Sequence, residues 1–389
     1  MKIKDFSMGK AQSKYKKFIE SCQCDDDSFS LTKGSDSSPY ALCFAIFGYK
    51  LILADSVINK NCKIWDKNLR LGLKLKRAER IQIVNLNFDK EYLQLLTFTL
   101  SALSILGTLD KSPLYDEVQE VLPKNIEDSL FSCKSLDGAP KSGNHAMFVA
   151  ILLIHAHNKL GIDSQSRIDH WVELHLRSMN KFGFWGNCDS MSHLQFQNGY
   201  HQHEILEFLN IKDIPWEIIQ NSVASMVDNE GHFAPYIGGG GCYDYDAIFC
   251  LTSGPNISNR YEDLLNLTAQ SILSEQNLDG GFCESLSVRP RSLSNVLRSI
   301  RHILRVKGIA RIERLRYSIT LLRPKHNRIH THWSVYSREW SESDLWDSWF
   351  RMLAIARIDV ALDPSKISEW GFINHPGIGF HSLLRKRIV

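Results

Sequence analysis

Apolar positions along this chain recur mainly at helical spacing. Within residues 92–106, Leu93, Leu96, Leu100, Leu103 and Leu106 share one broad face, and Gly107 follows as a stop signal. Residues 147–160 end at Gly161 in the same way, and residues 346–358 are bounded by Pro364. Segments 216–226 and 264–273 predict two more helices. Sustained alternation is scarce; residues 81–87 fit a short strand or a helix turn equally well. The pattern predicts an all-α chain.

A loop–helix unit returns along this pattern. Asp27-Ser28-Phe29 precedes Ser38-Pro39-Tyr40 and the apolar run 41–47. Asp137-Gly138 precedes Gly143-Asn144-His145 and residues 146–154. Phe182-Gly183-Phe184-Trp185 precedes Gly199-Tyr200-His201 and residues 205–209. Loop 229–233 leads through the glycines at 238–241 to residues 247–251, and Asp279-Gly280-Gly281-Phe282 leads through Arg289-Pro290 to residues 296–304. A period of roughly 45–55 residues belongs to stacked helical pairs. If the pairs close into a ring, every inner-helix start meets at one end of one cavity. The expected organisation is a loose helical arm over residues 1–25 and one α/α toroid over residues 26–389.

Composition narrows this picture only a little. The formal net charge is +3, so nothing at whole-chain level points to nucleic acid. Basic clusters at 74–80, 298–316 and 385–387 adjoin Leu, Ile and Val. They read as solvated helix faces, with contact to an anionic membrane or substrate as the alternative. Nine cysteines, odd in number and irregularly spaced, argue for reduced thiols. The Lys-rich start has no apolar core behind it, and the run 147–154 is far short of a membrane span. The expected setting is the cytoplasm, with peripheral membrane contact left open.

Two motifs carry a resemblance to a known superfamily. Gln276-Asn277-Leu278-Asp279-Gly280-Gly281-Phe282 resembles the Q-x-x-D-G-G-F repeat loop of terpenoid cyclases and protein prenyltransferases, and loop 228–233 resembles a degenerate copy. Asp244-Tyr245-Asp246-Ala247-Ile248 resembles the D-x-D-D-T motif of class II terpenoid cyclases, with Ala247 in place of the last Asp. The resemblance implies a single-barrel toroid of alternating inner and outer helices. The repeat loop itself reads as structural. Gly280 and Gly281 permit turn angles closed to other residues, Phe282 pins the turn, and Asp279 accepts backbone N–H bonds.

The resemblance also implies that Asp246 is the acid that protonates an alkene or epoxide, with Asp244 as its partner. Such an acid must be kept neutral by burial and by a nearby carboxylate. The competing reading makes Asp244 a helix cap and Asp246 a first-turn carboxylate favoured by the helix dipole. Neighbours two apart on a helix point about 200° from each other, so both reach one cavity only if Asp244 still lies in the loop. Tyr40, His145, Tyr200, His201, Tyr243, Trp346 and Asp347, all near the expected helix starts, are the candidate substrate contacts. Asp347 and Arg351 form a candidate i,i+4 pair.

No metal or cofactor is expected. The order Cys242-Tyr243-Asp244 reverses the prenyltransferase zinc pair, and Cys22-x-Cys24 before three Asp residues is too short alone to make a metal site. Three functions stay open. The first is cyclisation of a hydrophobic isoprenoid in an aromatic cavity. The second is carbohydrate chemistry, as lyase or hydrolase, with His145, His201, Tyr243 or Asp246 as acid or base and Arg289 or Arg351 on a uronate. The third is a non-catalytic toroid that binds a glycan, lipid or protein. Oligomeric state is not legible.

Overall fold

The computed structural model describes residues 8–139, 142–186, 189–254, 259–288, 292–323, 328–331 and 334–381. In chain order the helices are α1 (Met8–Ser21), α2 (Pro39–Leu51), α3 (Asp55–Arg80), α4 (Lys90–Ile105), α5 (Tyr115–Val121), α6 (Ile126–Ser132) and α7 (Ser142–Lys159). Then follow α8 (Gln165–Ser178), α9 (His193–Phe208), α10 (Trp216–Ala224), α11 (Gly241–Thr252) and α12 (Glu262–Ser274). A hairpin of α13 (Leu293–Arg305) and α14 (Gly308–Leu321) precedes the short antiparallel strands β1 (Arg328–Thr331) and β2 (Ser334–Glu339), and α15 (Leu345–Leu362) comes last.

Six helices make a closed inner ring: α2 packs on α4, α4 on α7, α7 on α9, α9 on α11, α11 on α15, and α15 returns to α2. Their sequences explain the placement. Residues 40–49 of α2 and 347–361 of α15 are buried without a break, as expected of a helix apolar on every side. Outer helices are amphipathic instead. In α3 only Ile58, Trp65, Leu69 and Leu73 are buried, one stripe facing α2 and α4. At Gly143 a Cβ would collide with the Asn198 carbonyl, so glycine lets α7 and α9 approach this closely.

The inner helices run parallel. The Tyr40 hydroxyl at the start of α2 donates to the Glu91 carbonyl at the start of α4 (2.6 Å). Phe196 of α9 meets Tyr243 of α11 at 6.0 Å, and Trp346 of α15 meets Phe44 of α2 at 5.3 Å. All six first turns therefore gather at one mouth. The other end is closed by the segment after α15, where Gly371 N donates to Leu51 O (2.9 Å) and Ile373 N to Phe380 O (2.9 Å). Phe380 lies edge-on to Trp349 at 4.8 Å inside the barrel.

Three expectations change. Residues 8–21 are no loose arm: α1 buries Tyr15, Phe18 and Ile19 and packs on α2 as an outer helix. Residues 296–304 belong to α13, outside the ring, because the apolar side of that helix points to solvent; α15 supplies the inner helix after the fifth loop. Residues 81–87 are a turn running into a short 3₁₀ segment, Leu86–Phe88, not a strand.

Candidate active site

Inner helices are buried almost throughout, so the exceptions mark what the mouth exposes. Toward the helix starts these are Pro39 on α2, Lys90 and Glu91 on α4, Asn144 on α7, Leu194, Gln197 and, two turns in, His201 on α9, Cys242 on α11 and Trp346 on α15. Asn144 Nδ2 lies 3.0 Å from His201 Nε2, and Gln197 Nε2 lies 3.9 Å from Cys242 Sγ. Burial and the nearby Lys90 push His201 down to about 3, so its imidazole is neutral. The ring's entrance is thus polar, with Lys90 and Glu91 of α4 among its groups and an indole on one side.

Asp246 lies one helical turn below Cys242 on the same face of α11. Its side chain is fully buried, and neither carboxyl oxygen has a hydrogen-bond partner among the described residues. Burial, then the charge of Glu204, then that of Asp244 raise it well above the usual carboxyl range. All three causes favour its neutral form. Glu204, below His201 on α9, is raised to about 7 by burial, against the stabilising N–H of Gly379 and the Tyr200 hydroxyl. Aromatic rings surround this pair: Tyr200 and Tyr245 at 5.6 Å, Tyr245 and Phe350 at 5.3 Å, Trp346 and Phe350 at 4.5 Å.

Asp244 faces elsewhere. Its carboxylate accepts from His232 Nδ1 (2.8 Å) and from the Phe233 backbone N–H (2.9 Å), which ties α11 to loop 228–233. His232 is raised to about 9: burial works against its charge, and Asp244 outweighs it with help from Glu275 and Asp228. Asp244 thus secures a structural loop, and the carboxyl nearest Asp246 in effect is Glu204. Sequence reasoning missed Glu204. The signal was the i,i+3 step from His201, which puts both on the inward face of α9.

The remaining candidates divide. Tyr200 borders the buried carboxyls, whereas Trp346, against Phe44 and Phe350, and His201 border the mouth. Tyr40 is spent on the Glu91 carbonyl. His145 turns outward to Ser129 Oγ (3.1 Å) and stacks on Phe88, so Asn144 takes the inward position instead. Tyr243 sits among Phe196 and Tyr236 at the edge of the hairpin. Asp347 pairs with Arg338 (2.6 Å) rather than Arg351, while Arg351 pairs with Glu275 (2.9 Å). Cys242 and Asp244 diverge, one to the mouth and one to the loop. Arg289 and the basic cluster at 385–387 lie outside the described residues.

The repeat loop behaves as expected of a structural element. Gly280 has φ +96°, Asp279 Oδ1 accepts from Gly281 N (3.0 Å), and Phe282 N donates to Ser348 Oγ (2.8 Å) on α15. Gln276 Nε2 donates to Ala11 O (3.1 Å), which joins the last outer helix to the first. No curated protein matches the chain. The family model described as the prenyltransferase alpha-alpha toroid domain matches residues 75–290, more than half of the chain. Together with the closed ring of parallel inner helices, this match identifies the chain as a member of the prenyltransferase α–α toroid domain family.

Proposed function

We propose that the protein is an acid catalyst of the class II terpenoid cyclase type, with a linear isoprenoid as substrate and Asp246 as proton donor. The observation that carries this reading is the carboxyl of Asp246, fully buried and without a hydrogen-bond partner among the described residues. A structural carboxylate at that depth would be paired, because an isolated buried charge is too costly. A neutral acid that donates to no neighbour is free to donate to a substrate.

The reaction balances in protons alone. The O–H bond of Asp246 breaks as a terminal alkene carbon takes the proton through its π pair, leaving a carbocation on the adjacent carbon. Successive alkenes attack and close rings, while the faces of Trp346, Phe350 and Tyr200 stabilise the moving charge. The carboxylate left behind faces that cation in a dry site, where the attraction is strong. Loss of a proton from carbon ends the sequence, so the product is an isomer of the substrate. The polar entrance of Asn144, Gln197 and His201 would hold the substrate's oxygenated end.

Incubation with linear polyprenols and their diphosphates in D₂O tests the reading. The expected product has the substrate's skeleton mass plus one deuterium and fewer double bonds, and Asp246→Asn abolishes it while circular dichroism stays unchanged. A product without deuterium, or turnover that survives Asp246→Asn, would overturn the proposal.

A further inference from the structure

The α13–α14 hairpin reverses the usual arrangement of an amphipathic pair, with polar groups toward the ring and apolar groups outward. On its inner side Glu313 accepts from the backbone N–H of His193 (2.7 Å) and of Leu194 (3.4 Å), capping the start of α9. Buried Arg314 donates to the carbonyls of His302 (2.6 Å) and Met226 (2.5 Å), and Arg298 pairs with Glu230.

On the outer side of α13, Leu293, Val296, Leu297, Ile300 and Leu304 are all exposed, Leu293 to 78% and Leu304 to 61%. At about 100° per residue they fall within an arc of roughly 100°. Ile312, Leu315 and Ile319 extend the stripe along α14. Exposed Arg301, Arg305, Lys307 and Arg316 edge it. Residues 292–323 hold eight Lys or Arg and a single carboxylate, Glu313, for a formal charge of +7. The whole chain carries only +3, so everything outside the hairpin is net acidic. Contiguous apolar faces of this kind mark interaction sites.

We propose that this hairpin docks the toroid on the surface of an anionic lipid bilayer. The stripe would lie at the boundary of headgroups and acyl chains, with Arg301, Arg305, Lys307 and Arg316 at lipid phosphates. Charge complementarity selects this occupant: a broad apolar arc edged by one sign of charge fits a negative interface better than a folded acidic protein, which presents no matching apolar plane of that length. Among the described residues no helix is long and apolar enough to cross a membrane, so the contact is peripheral. A cavity of about 60 Å³ opens between Tyr236, Ile237 and Val288 on the ring side and Val296, Ser299 and Ser318 on the hairpin. If the proposed function holds, a lipophilic substrate would leave the bilayer beside the barrel mouth.

Flotation of the full chain with vesicles tests docking without reference to turnover. With phosphatidylcholine vesicles containing about a third phosphatidylglycerol, the protein is expected to float; on pure phosphatidylcholine its partitioning should fall by about tenfold or more. Arg301→Glu with Arg305→Glu should cause a similar loss, and Leu297→Ser with Ile300→Ser and Leu304→Ser should abolish flotation, both with unchanged circular dichroism. Failure to float with anionic vesicles, flotation indifferent to both sets of changes, or an oligomer that the serine variant dissolves in place of flotation would each overturn the proposal. None of these outcomes bears on Asp246.

Discussion

Two aspartates two residues apart on α11 do different work, and their environments say which. Asp244 accepts two hydrogen bonds and balances a buried imidazolium, whereas Asp246 accepts none among the described residues. Asp244→Asn should therefore cost stability, about 3–5 kcal/mol for breaking a buried pair, as read by chemical denaturation. Asp246→Asn should leave the denaturation midpoint where it is or raise it, since it removes only an unpaired buried acid. A midpoint lowered equally by both changes would contradict this division. Glu204 adds a pH dependence. Its proton is held up to about 7 in the folded state against an ordinary value of 4.5, so its contribution is fully present below about 4.5 and is lost as pH rises through 7. The span corresponds to roughly 3 kcal/mol. Glu204→Gln should flatten the decline of stability over that window, measured by urea denaturation across pH. His232 behaves similarly at higher pH: its ion pair contributes below about 6.5 and fades as pH passes about 9.

At the scale of elements, the barrel depends on two latches. One is the closing segment after α15, where Gly379 has φ +61° and the Tyr245 hydroxyl occupies the place a Cβ would take. Gly379 also donates its N–H to Glu204, so the latch and the buried carboxyls are mechanically joined. Gly379→Ala combines left-handed strain with overpacking and should destabilise by roughly 2–4 kcal/mol. Near-UV circular dichroism should change with it, because Trp349 and Phe380 lose their edge-on contact. The other latch is α1. Phe18, 1% exposed, packs beside Gly281 of the repeat loop. Phe18→Ala should cost about 3–5 kcal/mol, the cost of a core cavity; a change below 1 kcal/mol would mean that α1 is only loosely attached.

At the scale of the whole molecule, much of the ring is legible in the sequence. Burial on every side gives inner helices long apolar runs, and the loops between them repeat because each must turn the chain from an outer helix to an inner one. Segment 296–304 shows where that logic stops. Its loop matches the others, yet an amphipathic pattern reports an apolar face without saying what it faces, and here it faces solvent. The same limit applied to the site. His145 and His201 occupy equivalent places in sequence, but a shift of one residue puts Asn144, not His145, on the inward face of α7. Glu204 carried no motif beyond its i,i+3 step from His201, and the approach of α9 to α11 in three dimensions places it beside Asp246. The divergence of Asp244 from Asp246 was foreseeable from helix geometry alone, since residues two apart cannot share a face.

The claim on which the functional account rests is that Asp246 is protonated in the folded protein near neutral pH. Infrared difference spectroscopy between the wild-type chain and Asp246→Asn, with Glu204→Gln as the second reference, reads this directly. The account predicts a protonated-carboxyl C=O band at pH 7 that disappears in Asp246→Asn and persists in Glu204→Gln. A carboxylate band assigned to Asp246 at that pH would contradict it.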